Sequence, residues 1–217
     1  RIDAATRAGE TRGQALGRVS RLLIADDWKR NAEFLNVSGA ALEREGFEVV
    51  ESDLGEVIVQ RRKETPYHIV FPAMHLRRGE IRDLFNRELN SGSTEDPEEL
   101  TMVARRVLRQ KYIQADIGFT GANFAIAETG MISITENEGN ARLTAALPKT
   151  MVTLLGIEKV LPRLEDLALF LPLLATSGTG QPLTCYNTLY GGPRRPAEPD
   201  GPEEYHVVLL DNRRTQI

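Results

Sequence analysis

The chain has 217 residues, 41% of them hydrophobic and 27% charged, with a formal net charge of −4. That length can bury one sizeable core, and the acidic balance leaves no basic excess to neutralise phosphates, which excludes nucleic acid as the main partner. No apolar run approaches the length needed to cross a bilayer, and no secretory-type leader opens the chain, so the expected compartment is the cytoplasm.

Residues 1–20 are rich in Ala, Arg and Gly with a thin apolar pattern, and are expected to form an N-terminal arm or weakly amphipathic helix. Residues 21–217 are expected to make one α/β domain. Leu22 to Ala25 reads as a short strand. A helix ends near Gly46, which serves as its C-terminal stop, and Phe47 to Glu51 alternates as a strand. Ser52 to Glu56 is expected to be a polar turn leading into Val57-Ile58-Val59, and Tyr67 to Pro72 a strand closed by proline. Gly79 to Leu89 sets Ile81, Leu84, Phe85 and Leu89 on one helical face. Asp96-Pro97-Glu98-Glu99 is a strong helix start: an N-cap, a proline at the first helical position and carboxylates at the positive end of the dipole. Leu100, Val103, Ala104, Val107 and Leu108 give that helix its buried stripe.

From Ile117 to Leu147 the chain packs small residues, amides and carboxylates between short apolar runs. Phe124, Ile126 and Glu128 would share one strand face, Thr129-Gly130 allows a reversal, and Met131 to Thr135 alternates apolar with hydroxyl residues. The pattern predicts a hairpin between two polar loops, residues 120–123 and 137–140, whose glycines let backbone amides approach a ligand. The same pattern also fits a purely structural hairpin in which the glycines serve only the turns. Beyond it come a strand over Thr150 to Gly156 and a helix over Leu164 to Phe170. A glycine-rich loop at Ser177-Gly178-Thr179-Gly180-Gln181, a strand over Leu183 to Tyr190, a proline-rich loop over Gly191 to Glu204 and a last strand from His206 to Leu210 complete the chain.

Two long signatures stand in this central stretch: Thr-Gly-Ala-Asn-Phe-Ala-Ile-Ala-Glu-Thr-Gly from Thr120 to Gly130, and Asn-Glu-Gly-Asn-Ala-Arg from Asn137 to Arg142. Asp53-Leu54-Gly55-Glu56, Pro72-Ala73-Met74-His75 and Gly156 to Pro162 extend the likeness. On these residues the chain resembles the LUD domain, and within that group the lactate utilization protein B family of iron–sulfur oxidoreductase subunits. The family usually carries a Lys-Ser-Lys-Ser run before its next helix, and Lys29-Arg30-Asn31-Ala32-Glu33 departs from it. The resemblance implies a Rossmann-like layered sheet with helices on both faces, the fold of sugar-phosphate isomerases (NagB and RpiA) and CoA transferases. It also implies oxidation of L-lactate to pyruvate with electron transfer through iron–sulfur clusters, in a complex with other subunits. Cys185 is the only cysteine, too few thiolates for a cluster. The clusters are therefore expected in the complete protein, beyond a LUD portion ending near Ile217, and this chain is expected to hold no cofactor.

In open α/β sheets ligands settle at the strand ends, where polar loops gather. Backbone amides around Thr120, Gly121 and Gly139 are candidates there, with Asn123, Thr129, Asn137 and Asn140 as hydrogen bonders. Arg142 is a candidate for a small carboxylate or phosphorylated ligand. Ser177, Thr179 and Gly180 give a weaker phosphate signal, since neither a Walker A nor a full Gly-x-Gly-x-x-Gly is present. Glu128 and Glu136 are the catalytic candidates and Glu138 completes the carboxylate set. Glu128, at the end of an apolar face, is expected to be partly buried with a raised pKa, whereas Glu136 and Glu138 flank a turn where carboxylates are commonly solvated. Glu136-Asn137 is loosely similar to the Glu-Asn-Gly nucleophile of CoA transferases, with Glu138 in place of its glycine. His75 is a pocket candidate, and His68, His75 and His206 lie too far apart for a zinc site. Cys185 is expected to be packed, and without a Gly-x-Ser-x-Gly elbow a serine hydrolase is excluded. Three functions stay open: a non-redox module of a lactate-oxidising system, a stand-alone carboxylate-nucleophile enzyme, and a subunit-docking module.

Overall fold

The computed structural model describes residues 21–25, 39, 41–67 and 71–216, with the backbone alone at 21–25 and 179. The expectations for the N-terminal arm, for Lys29 to Glu33 and for His68 lie outside these residues, as do residues 68–70 of the strand expected from Tyr67 to Pro72; its described residues, Tyr67, Phe71 and Pro72, are not in a strand. The amide of Tyr67 donates to Pro72 O at 3.1 Å, so the ends of that segment meet.

Strands β1 (Arg21–Ala25) and β2 (Glu48–Glu51) come first, with a helical turn over residues 41–44 between them. Helix α1 (Leu54–Arg62) follows at once, because the Asp53 side chain accepts the Gly55 amide at 2.8 Å and starts the helix there. The polar turn expected over 52–56 is thus shortened to Ser52-Asp53, and Val57 to Val59 are helical. Helices α2 (Arg78–Leu89) and α3 (Pro97–Gln114) form as their periodicity requires. At the start of α3, Asp96 accepts the amides of Glu98 and Glu99. The α2–α3 pair closes over Ile58 with Leu84, Phe85, Leu100, Val103 and Ala104.

Strand β3 (Ile117–Gly121) leads into the hairpin β4 (Phe124–Ile126) and β5 (Ile132–Glu136), then α4 (Asn140–Ala146) and β6 (Thr150–Gly156). After β7 (Val160–Leu161) a 3-10 turn over Leu164–Asp166 feeds helix α5 (Leu167–Thr179), and β8 (Tyr186–Tyr190) and β9 (Glu204–Leu210) close the fold. The helix expected over Leu164 to Phe170 therefore begins later and runs further. The apolar stretch from Leu167 carries helical structure through Ser177 and Thr179, and Gly180, at φ 74°, caps it in the left-handed region. The glycine-rich loop expected at Ser177–Gln181 is a helix end. Likewise the strand expected from Leu183 starts only at Tyr186, and Cys185 lies exposed in the bend before it, not packed.

A five-stranded sheet runs β2-β1-β3-β6-β9 with every pairing parallel. This is a doubly wound order, and the direction of the connections reverses between β1 and β3, the kind of switch point at whose strand ends α/β sheets place ligands. Its two faces are covered differently. Val50 packs with Val57, Leu108 and Tyr112, while Val49 packs with Leu42, Phe119 and Leu154. A four-stranded mixed sheet, β7-β4-β5-β8, sits on the C-terminal strand ends. Ala122, Ala125, Ile132, Ile134, Ala141 and Leu155 form the core that joins the two sheets. The architecture is the α/β layering that the sequence implied: parallel and mixed sheets flanked by helices. Among the described residues no helix is long and apolar enough to cross a membrane.

Candidate functional site

The hairpin is held from inside. Asn123 is buried, its amide donates to Ser133 O at 3.0 Å, and its side-chain oxygen accepts the Thr135 amide at 2.7 Å. Thr120 is fully buried and donates its hydroxyl to Gly121 O at 3.0 Å. These two residues of the first polar loop spend hydrogen bonds on the fold. Asn123→Ala is expected to leave the buried Thr135 amide without its acceptor and to cost about 1–3 kcal/mol. The check is a lower urea midpoint with an unchanged slope.

The second loop is built around Glu136. At the end of β5 this carboxylate is 5% exposed and accepts the amides of Ala141 at 2.8 Å and Arg142 at 3.0 Å. Burial holds its pKa above the usual glutamate value, against the lowering pull of those two amides and of the Arg142 charge. Gly139, at φ 86°, turns the chain into α4. Glu138, exposed overall, accepts the Asn137 amide, and its carboxyl is pushed up by partial desolvation and then by the like charge of Asp53. The Asn137 side-chain oxygen accepts the Cys185 amide at 3.4 Å, and the Arg142 guanidinium lies over the Tyr186 ring, 4.1 Å from its centroid. Thus Glu136, Asn137, Glu138, Gly139, Asn140 and Arg142 do gather, and β8 gathers with them.

Sequence reasoning missed the groups beneath this loop. Tyr112 of α3 is pushed up to about 12 chiefly by burial, opposed by the nearby Ser52 and Thr144 hydroxyls and raised further by the Glu136 and Asp53 charges. A phenol four residues after Leu108 reads from sequence as one more member of the apolar stripe. Its polar neighbours come from a strand end and from another helix, which spacing cannot show. Lys159 was also missed; its ammonium donates to Ala122 O at 3.1 Å, beside the end of β3.

Other predicted residues make their contacts elsewhere. Glu128 is exposed in the β4–β5 turn and accepts the Leu164 amide at 3.1 Å, so the burial expected for it is absent. Its strand ends at Ile126, because the reversal uses Ala127 through Gly130. Thr129 accepts the Met131 amide within the same turn. His75 lies 3.1 Å from Glu64 and against Tyr67, with ring centroids 5.3 Å apart. Ser177 and Gly180 sit at the C-terminal end of α5, the end of a helix that disfavours anions. Among the described residues no three His, Cys, Asp or Glu side chains are arranged to hold a metal ion.

A family model described as the LUD domain matches residues 10–210. This chain belongs to the LUD domain family. Lactate utilization protein B of Bacillus licheniformis is 50% identical over 178 residues, which is 82% of this chain and 37% of that relative. The protein of the same name from Bacillus subtilis is 50% identical over 177 residues, and that from Anoxybacillus flavithermus 50% identical over 179. The LUD domain chain described above spans 37% to 38% of the length of these curated relatives. A crystal structure of a DUF162 family protein from Deinococcus radiodurans aligns over 88% of each chain at 12% identity, with a TM-score of 0.38.

Proposed function

We propose that this LUD domain serves L-lactate utilization in the cytoplasm, as the non-redox module of an iron–sulfur oxidoreductase that assembles with further subunits. The observation that carries the reading is the 50% identity, over 82% of the chain, to proteins named lactate utilization protein B. Oxidation of L-lactate to pyruvate releases an electron pair with its protons, and a carrier must accept them. A cluster takes about four thiolates, whereas this chain has one cysteine, Cys185, exposed in a bend. The donor set does not fit a cluster, so no electron-transfer step is assigned to these residues. Their part is to hold a small ligand at the strand ends and to present a docking surface.

The carboxylate-nucleophile reading loses ground on geometry. Both oxygens of Glu136 already accept backbone amides, which leaves them oriented by α4 and not toward an acyl group. Glu128 is exposed in a turn, where it accepts the Leu164 amide.

The test is the iron content and visible spectrum of the complete gene product purified without oxygen. Bound iron with a spectrum bleached by L-lactate supports the module reading. A well-folded, iron-free, colourless protein expressed with adequate cluster supply would overturn it.

A further inference from the structure

The geometry points to Arg142, held over the Tyr186 ring, as the recognition group for a small carboxylate ligand at the strand ends. This rests on the reading of a ligand pocket there, and not on the clusters.

The position follows from packing. Ala141, the neighbour of Arg142, sits in the core with Ala122, just past β3, and Leu155, near the end of β6. Arg142 therefore stands at the C-terminal edge of the parallel sheet. The end of α4 is not itself an anion site. Its Ala141 and Arg142 amides are already taken by the buried Glu136 carboxylate, an internal anion in the slot that a ligand would otherwise use. What remains outside that slot is the side chain of Arg142. It is exposed, and its charge acts on the buried Glu136 carboxylate, whose pKa it pulls down.

Two contacts fix its orientation. Its backbone amide is tied to Glu136 at 3.0 Å, and its guanidinium lies 4.1 Å above the Tyr186 ring. Tyr186 is itself placed by β8 pairing with β5, where it stands opposite Glu136. A guanidinium held over an aromatic face is attracted to the ring without spending its N–H donors on an acceptor, and its fork matches a carboxylate with parallel bonds. Holding the fork in advance lowers the entropy lost when the ligand binds. A lysine ammonium offers neither the stacking nor the fork. Glu136 is thus a positioning residue for Arg142, and Tyr186 is its platform.

The experiment is isothermal titration of the folded 217-residue chain with L-lactate, pyruvate, acetate and inorganic phosphate at constant ionic strength. Saturable carboxylate binding on the order of 1 mM is expected, in the range where a small ligand gains about 4 kcal/mol. Arg142→Ala should abolish it and Arg142→Lys should weaken it about tenfold or more, since the fork is lost. Tyr186→Phe should bind within about twofold of the parent and Tyr186→Leu several-fold more weakly, because only the first keeps the aromatic face. Thermal melts of each variant report folding separately. Absence of carboxylate binding in the parent, unchanged binding in folded Arg142→Ala, or phosphate binding tighter than any carboxylate would each overturn the assignment. Failure here with a lactate-bleached spectrum in the complete protein removes the role of Arg142 and leaves the module standing. Success here with an iron-free complete protein does the reverse.

Discussion

Gly118→Ala is expected to be the most damaging single-methyl change in the sheet. Gly118 lies in β3 beneath α4, and a Cβ there would collide with the backbone carbonyl of Thr144 and come within 3.2 Å of the Met151 sulfur. Neither neighbour yields easily. The Thr144 carbonyl belongs to a helix whose Ala141 and Ala145 are buried, and Met151 is fully buried in the adjacent strand. Alanine reduces the entropy of the unfolded chain, which favours folding by about 0.4–1 kcal/mol. Overpacking against backbone costs about 3 kcal/mol or more, so the clash wins. A fall in Tm of about 6–12 °C is the expected reading for a chain of this size. Because α4 would lift from the sheet, the Glu136 cap and the Arg142 platform should loosen with it. A melting temperature equal to the parent's would show that α4 does not press on β3 as described.

Replacing Glu136 should reveal itself through pH. Glu136→Ala leaves two amides of α4 without an acceptor in a buried setting and is expected to cost about 2–4 kcal/mol at neutral pH. Glu136→Gln keeps the shape and one acceptor oxygen, and should cost about 1–2 kcal/mol. The pH dependence runs opposite to that of a salt-bridged carboxylate. The folded-state pKa of Glu136 is raised, chiefly by burial, so between the unfolded value and the raised value the native state holds more protons than the unfolded chain. Stability from this group is then fully present below about pH 4.5 and declines as pH rises through the folded pKa. Glutamine has no such titration. The stability gap between parent and Glu136→Gln should therefore be widest near pH 4.5 and narrow toward neutrality, measured by urea unfolding of both proteins at each pH. Groups common to both chains cancel in that difference. A gap that widens with pH would mean that the amide bonds outweigh burial, with a lowered carboxyl.

Much of the architecture is a local matter and was legible in the chain. Asp96-Pro97-Glu98-Glu99 starts α3 because an N-cap, a proline and two carboxylates act within one turn. The hairpin over β4 and β5 follows from alternation on either side of a turn, and Gly130 takes the left-handed conformation, φ 70°, that the reversal requires. The signatures of the LUD family lie in these same stretches, which is why the family could be read from them. Gly180 was legible as part of a glycine-rich stretch, yet whether that stretch opened a ligand loop or ended a helix depended on the apolar run before it finding a partner. That partner is the β4–β7 side of the small sheet, where Leu167 packs with Ile126 and Leu161.

The roles of the acids were decided by tertiary structure alone. Alternation ranked Glu128 as the buried carboxylate and Glu136 as a turn residue, and the folded chain reverses that order. Periodicity states which face a strand residue occupies while the strand lasts. It does not state where pairing stops, and β4 stops at Ile126. Nor does it report that α4 returns over the end of β5, removing water from Glu136 while offering it two amides. Sequence determined the elements, the turns and the family, because those depend on neighbours within a few residues. Which carboxylate loses its water, and which guanidinium is laid on which ring, depends on segments brought together by long-range packing, and only the tertiary structure supplies that.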